Sequence, residues 1–497
     1  MSARSEDGTA TSNASTLSEG APATGGLRAR ASQGAILSLI GQGSAQFLRL
    51  VGNLVLARML FPEAFGLMAI VYLIVFALEQ FSNIGIPAAI MRYERGEEPA
   101  FMNTAWTIQV IRGFGLWAIG LALTPIVADF YRQPQLLQIM PVATFAAVIM
   151  GIQSTKFLVL TRRLQLGRRV SIEVIGRVSS VVTMIGIAWA QPTVWALVIG
   201  GIMNQVVITI LSHVWIPGPR SRFAWDKQTV EEIFSMGKWV FASSGLSFVL
   251  AQMDVALLGR LVPAAVLGVY SMGIIIPMLL RDVAFTVLSS VVAPIVAESN
   301  REGPEALRRR YEAIRRVTLP AVLAMGLGAL IVAPAFFEYL YDERYWDARW
   351  IAQLALIRFW FAYLQVASCI SLLSIGDGRT WAISNVVGLV GVTTGCLVGY
   401  EMGELSGLVI GMGMGSMVSF VVPALRLLKL GVATPLAEIR YTLLGAALAG
   451  LAVAAADWSA DWIPLPDSLR SLVVGALVLA PYGAWAGLRV LREFKLR

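Results

Sequence analysis

Two arginines and two carboxylates stand within stretches that are otherwise apolar. Arg49, Glu79, Asp254 and Arg281 all fall inside long apolar runs. A charge near mid-bilayer costs about 2.5–3.5 kcal/mol on insertion scales, so such residues face protein or a water-filled cavity rather than lipid. A guanidinium presents planar, paired donors and keeps its charge in proteins, which suits it to bind a phosphate. Polar neighbours extend this chemistry. Gln46, Arg49 and Asn53 recur at a spacing that places them on one helix face, and Gln252 accompanies Asp254. Glu79 and Asp254 leave room for a proton or a sodium ion as a coupling species. The competing reading is mutual neutralisation, Arg49 with Glu79 and Asp254 with Arg281. Arg112 and Arg358 lie nearer the ends of their runs, where snorkelling to headgroups is expected.

Other chemistry is poorly supplied. His213 is the sole histidine, which removes a complete Ser/His/Asp triad and any His-based metal centre. Cys369 and Cys396 both lie in apolar runs, where a thiol behaves as a small buried hydrophobe. No catalytic residue, metal or cofactor is expected.

The elements that must hold these side chains are transmembrane helices. Hydrophobic residues make up 57% of the 497 positions and charged ones 14%, against roughly 25% charged in soluble domains. The apolar residues come in roughly fourteen blocks, each close to the ~20 residues that cross a bilayer as helix. This predicts an all-α polytopic membrane protein. Residues 1–33, rich in Ser, Thr, Ala and Gly, read as a disordered cytoplasmic tail. Six spans over 34–215 form a first lobe, 216–234 a linker, six spans over 235–428 a second lobe, and 429–497 two further spans with a short C-terminus. Most of the 39 Lys and Arg collect in alternate connections, including Thr161 to Arg169 and Pro304 to Arg316. The positive-inside rule then places both termini in the cytoplasm. The net charge of +8 follows from this topology, so a nucleic-acid partner is not expected, whereas anionic membrane lipids are.

A repeat organises the spans. LARMLFPEAFGLMA, between the first two blocks, returns as LLGRLVPAAVLGVYS between the seventh and eighth, with Gly66 in register with Gly268 and Arg58 with Arg260, while Pro62 and Pro263 slip by one place. Six intervening spans give parallel repeats related by an axis along the membrane normal, which would enclose a central cavity. Thirteen residues beyond the glycines lie Glu79 and Arg281, so both charges are aimed at that cavity. Because Pro and Gly interrupt helices, Pro62, Gly66, Pro263 and Gly268 are expected to act as paired hinges at the outer gate.

These residues, together with TRRLQLGRRVSIEVIGRV, PTVWALVIGG and FAWDKQTVEEIFSMGKWVFASS, resemble the Wzx-type polysaccharide flippases of the multidrug/oligosaccharidyl-lipid/polysaccharide exporter superfamily, in particular the colanic acid and succinoglycan branch. The resemblance implies a non-enzymatic, alternating-access carrier of an undecaprenyl-diphosphate-linked oligosaccharide in the bacterial inner membrane. It implies Arg49 and Arg281 as diphosphate ligands and the glycosyltransferases and polymerase of the same pathway as partners. Glu79 departs from a purely cationic cavity. A drug/cation antiporter of the same superfamily is the nearest alternative, and a polymerase or ligase of lipid-linked sugars a more distant one. Nothing in the sequence fixes an oligomeric state.

Overall fold

In a bilayer every backbone N–H and C=O must find its partner within the segment, so long apolar runs fold as helices. The computed structural model describes residues 43–44, 46–80, 82, 85–163 and 165–495, with side chains outside 236–247, 250–251 and 493–495. The expected disordered tail, 1–33, lies outside the described residues. Among these residues the secondary structure is entirely helical. Ten helices are long and apolar enough to span a membrane, or eleven if the bent pair Leu136–Ile152 and Lys156–Arg162 counts as one span.

The fourteen expected blocks map onto these helices, some of them broken and two joined in one run. Helix α1 occupies 46–59 and α2 Pro62–Gln80, followed by the short α3, Ile86–Arg92. The fourth block is broken into α5 (Leu136–Thr144), α6 (Ala146–Ile152) and α7 (Lys156–Arg162), with a bend of 65° before α7. Between them lies α4, Pro99–Phe130, and after them come α8, Leu166–Ala190, and α9, Trp195–Val214. Helix α10 runs over Lys227–Leu261, begun by Asp226, whose carboxylate accepts from the Thr229 backbone at 3.2 Å. The eighth block is α11 (Ala264–Gly273), α12 (Ile275–Val287), a π turn at Leu288–Val292 and α13 (Ala293–Glu302). Helices α14, Pro304–Leu340, and α15, Ala348–Ser374, follow. The eleventh and twelfth blocks appear as one run, α16, Gly378–Lys429, reversed at Gly403 and Glu404, where Glu404 adopts φ 50°. Last come α17, Leu436–Trp458, and α18, Asp467–Lys495.

Alternation of the helices defines two faces. The turn face carries the breaks at 60–61 and 262–263, and the basic face carries the Arg-rich connections. At the turn face a buried cluster joins Leu56, Leu60 and Phe65 of the first lobe to Leu267, Tyr270, Phe337 and Tyr345 of the second. The repeated segments meet here in a pseudo-symmetric contact: a Cβ on Gly66 would overlap the Ala264 carbonyl, and one on Gly268 the Pro62 carbonyl. Pro62 and Ala264 are equivalent positions in the repeat, so one surface packs on its own copy. Tyr345 Oη donates to the Leu60 carbonyl at 3.2 Å, Arg58 Nε to that of Leu340 at 3.2 Å, and Arg344 lies 4.8 Å from the Phe61 ring centre. This face is closed.

On the basic face the arginines are largely engaged with protein. Arg163 binds Glu97, which holds that carboxyl below the usual carboxylate range. Arg162 donates to the Tyr93 carbonyl at 2.6 Å, and Arg310 pairs with Glu302 at 2.9 Å. Arg315 forms a buried pair with Glu438, tying α17 to α14. Helix α18 docks on α14 through Tyr482 Oη, which donates to the Pro320 carbonyl at 3.2 Å.

Candidate functional site

Beneath the closed turn face the first lobe holds a cavity of about 640 Å³, with Arg49, Asn53, Tyr72, Glu79, Arg177 and Asn204 in its wall. Helix α1 supplies Arg49 and Asn53 from the face expected of their spacing, α2 supplies Tyr72 and Glu79, and α8 supplies Arg177. Residues of α1 also reach the other lobe, since Gln46 Nε2 donates to Asp282 Oδ2 on α12 at 2.9 Å. Beside that acceptor, Arg281 contacts the Asp282 carboxylate at 3.4 Å and keeps its side chain 49% exposed.

The charges acting on the Arg49 guanidinium are that of Asp282, attractive, and those of Arg177 and Arg281, repulsive. Helix α1 thus carries Gln46 and Arg49 toward Arg281 and Asp282 of α12, and Arg177 shares the first-lobe wall with Arg49. Arg177 lies in the quoted run TRRLQLGRRVSIEVIGRV, and its position midway along α8 was the available signal. Counted with Glu79 and Asp282, the three guanidiniums still leave this region with a net positive charge. Like charges in a site of reduced dielectric repel, so an excess of guanidinium favours an anion.

Mutual neutralisation follows different partners from those expected. Arg49 faces Asp282, and the charge acting on Glu79 is that of Arg112. Arg112 does not reach for headgroups: it donates to the Ser82 carbonyl at 3.2 Å, and its Nε is buried without a partner. Asp254 pairs with Arg358 at 2.8 Å rather than with Arg281. Arg358 sits well inside α15 with its side chain 22% exposed, so it does not snorkel either. Each correction has the same cause. Spacing fixes which face of a helix a residue occupies, while its partner depends on the rotation of the neighbouring helix.

Gln252 lines the first-lobe cavity and also a second one, of about 360 Å³, in the other lobe, whose wall includes Asp254, Tyr270 and Arg281. The two cavities thus adjoin at Gln252. Pro62 and Pro263 stand at the helix breaks of the repeated turns, Pro62 as the first residue of α2 and Pro263 immediately before α11. Gly66 and Gly268 lie inside α2 and α11, so they permit close backbone approach between the lobes and interrupt no helix. Among the described residues no group of three or more His, Cys, Asp or Glu could hold a metal ion.

The chain resembles the teichuronic acid biosynthesis protein TuaB of Bacillus subtilis (strain 168), at 21% identity over 283 residues, 55% of this chain and 56% of TuaB. It also resembles the lipopolysaccharide biosynthesis protein WzxC of Escherichia coli (strain K12), at 21% identity over 328 residues, 64% of this chain and 65% of WzxC. The matched region spans less than two thirds of either relative. Its fold is that of the lipid II flippase MurJ in an inward closed conformation, with TM-score 0.68 and 11% identity, covering 93% of this chain and 100% of that one. An inward-facing multidrug resistance MATE family transporter of the MOP superfamily shares it with TM-score 0.61 and 16% identity, over 80% and 99% of the two chains. The family model described as polysaccharide biosynthesis protein matches residues 55–349, and the chain, a multi-pass membrane protein of this transporter fold, belongs to that family.

Proposed function

We propose that this chain carries an undecaprenyl-diphosphate-linked oligosaccharide repeat unit from the basic, cytoplasmic face of the bacterial inner membrane to the turn, periplasmic face by alternating access. The observation that carries the reading is that Arg49 and Arg177 line one cavity while Gln46, one turn from Arg49 on α1, bonds to Asp282 beside Arg281 of the other lobe. A diphosphate diester is ionised on both phosphate groups at neutral pH, and paired guanidinium donors match its oxygens. Support comes from the family, whose description is polysaccharide biosynthesis, and from the fold shared with a lipid II flippase. The same arginines disfavour a cationic drug as cargo, because they would repel it in a site of low dielectric. Export moves negative charge outward, which an interior-negative potential assists by about 2.3 kcal/mol per charge per 100 mV for full transfer. A proton or sodium ion could add to that drive.

The test is substitution within the triad. Arg49→Ala, Arg177→Ala and Arg281→Ala should each leave the protein inserted at normal abundance and abolish surface polysaccharide, and lysine at the same positions should restore it only in part. Normal polymer in all three alanine variants would overturn the diphosphate site.

A further inference from the structure

The second-lobe cavity is unlike the first. Its volume of about 360 Å³ lies at the lower end of small-molecule sites, roughly 300–1,000 Å³. Its wall combines the aromatic rings of Phe285, Phe359 and Trp381 with the polar groups of Asp254, Arg358 and Asn385. Asp254 is 4% exposed; its Oδ2 accepts from Tyr270 Oη at 2.7 Å and from Arg358 Nη1 at 2.8 Å, while its Oδ1 is buried with no hydrogen-bond partner. A buried acceptor left unmet is costly, so this oxygen marks a place for a donor from outside. Asn385 accepts from Gln365 Nε2 at 3.2 Å, which leaves its own amide donors for a ligand.

Charge decides what that ligand is. The Arg358 guanidinium already sits on the Asp254 carboxylate and would repel a metal cation, while Asp254 neutralises Arg358 toward an anion. A neutral hydroxyl satisfies the free Oδ1 without disturbing either charge. Aromatic faces beside paired donors and acceptors fit a ring that is apolar on one face and hydroxylated at its edge. Arg281 lines this cavity while its charge acts on Arg49, and Gln252 joins it to the arginine site.

We propose that the second-lobe cavity, built on Asp254, Arg358, Asn385 and Trp381, is a sugar subsite that holds the uncharged glycan residues next to the diphosphate during transport. This rests on the reading of the chain as a carrier of a diphosphate-linked glycan. The first lobe then contributes Arg49 and Arg177 to the phosphates, and the second lobe reads the sugar. Its free acceptor at Asp254 and free donors at Asn385 select for the pattern of hydroxyls on that ring.

Photocapture in cells tests it. Trp381 and, separately, Tyr72 in the first-lobe cavity are replaced by p-benzoylphenylalanine in the full-length chain, in cells fed a radiolabelled sugar of the polymer. After irradiation, mild acid cleaves the bond between sugar and diphosphate, so label survives on the protein only where the sugar itself was captured. The expected result is acid-resistant label at position 381, several-fold above that at position 72, and a several-fold loss when Asn385→Ala is added at unchanged abundance. Acid-labile label at 381, equal label at both positions, or indifference to Asn385→Ala would overturn the subsite. Label at position 72 alone would sink the subsite and leave carriage standing. No label at either position in cells that still display polymer would sink carriage itself.

Discussion

At the scale of single residues, the pairing of Asp254 with Arg358 across 104 positions of chain shows what a sequence conceals. Asp254 is legible as intramembrane and Arg358 was expected to snorkel, but their meeting depends on how α10 and α15 are rotated about their axes, and no spacing rule reports that. The pair also yields a clear energetic expectation. Removing one member of a buried ion pair leaves an uncompensated charge and costs about 3–5 kcal/mol, whereas apolar replacement of both is often neutral. Arg358→Met alone should therefore lower the thermal midpoint of the detergent-solubilised protein, and adding Asp254→Leu should recover most of the loss. A double variant no more stable than the single one would mean that the pair is not what Arg358 contributes. Arg177 teaches the complementary lesson: its place within an apolar helix was readable, and only its convergence on Arg49 required the fold.

Helices are the next scale, and their existence was far more legible than their contacts. Apolar length alone locates the long helices, because a bilayer leaves the backbone few alternatives. The break between α5 and α6 and the π turn after α12 were not legible, since largely apolar sequence continues through both, whereas the bend before α7 falls on the polar run Gln153–Lys156. The hairpin inside α16 was legible as two blocks, the eleventh and twelfth, but its contact was not: Gly391, Gly395 and Gly399 pack against Gly415, Gly411 and Gly407. Glycines at four-residue spacing read as close helix packing, yet the partner is a matter of three-dimensional register. A Cβ on Gly411 would overlap the Gly395 carbonyl, and one on Gly395 would overlap that of Gly411. Gly411→Leu should accordingly splay the hairpin at a cost of at least the roughly 1–3 kcal/mol typical of overpacking, seen as reduced abundance and faster proteolysis near the Gly403 reversal. Gly450, which has open space around it, is the control: Gly450→Leu should be tolerated.

For the molecule as a whole, the repeat was visible in the sequence and its contact was not. The resemblance between the two turns suggests equivalent roles, but nothing in one copy says that it packs on the other. The structure is closed at that face, and Phe61 and Arg344 touch across the lobes. Alternating access requires this contact to part. A Phe61→Cys/Arg344→Cys pair should form a disulfide under oxidation that stops export until it is reduced; the native Cys369 and Cys396 are buried and should not interfere. Export at full rate with the crosslink complete would refute opening at this face. The self-packing of Pro62–Gly66 on Ala264–Gly268 is also the geometry of a twofold dimer interface, one patch meeting its own copy, here contained in a single chain. Such an interface assembles without a covalent link. The non-helical stretch before α10 should therefore be severable: residues 1–220 and 221–497, made as two polypeptides in one cell, should find each other and restore export, as two subunits of a heterodimer would.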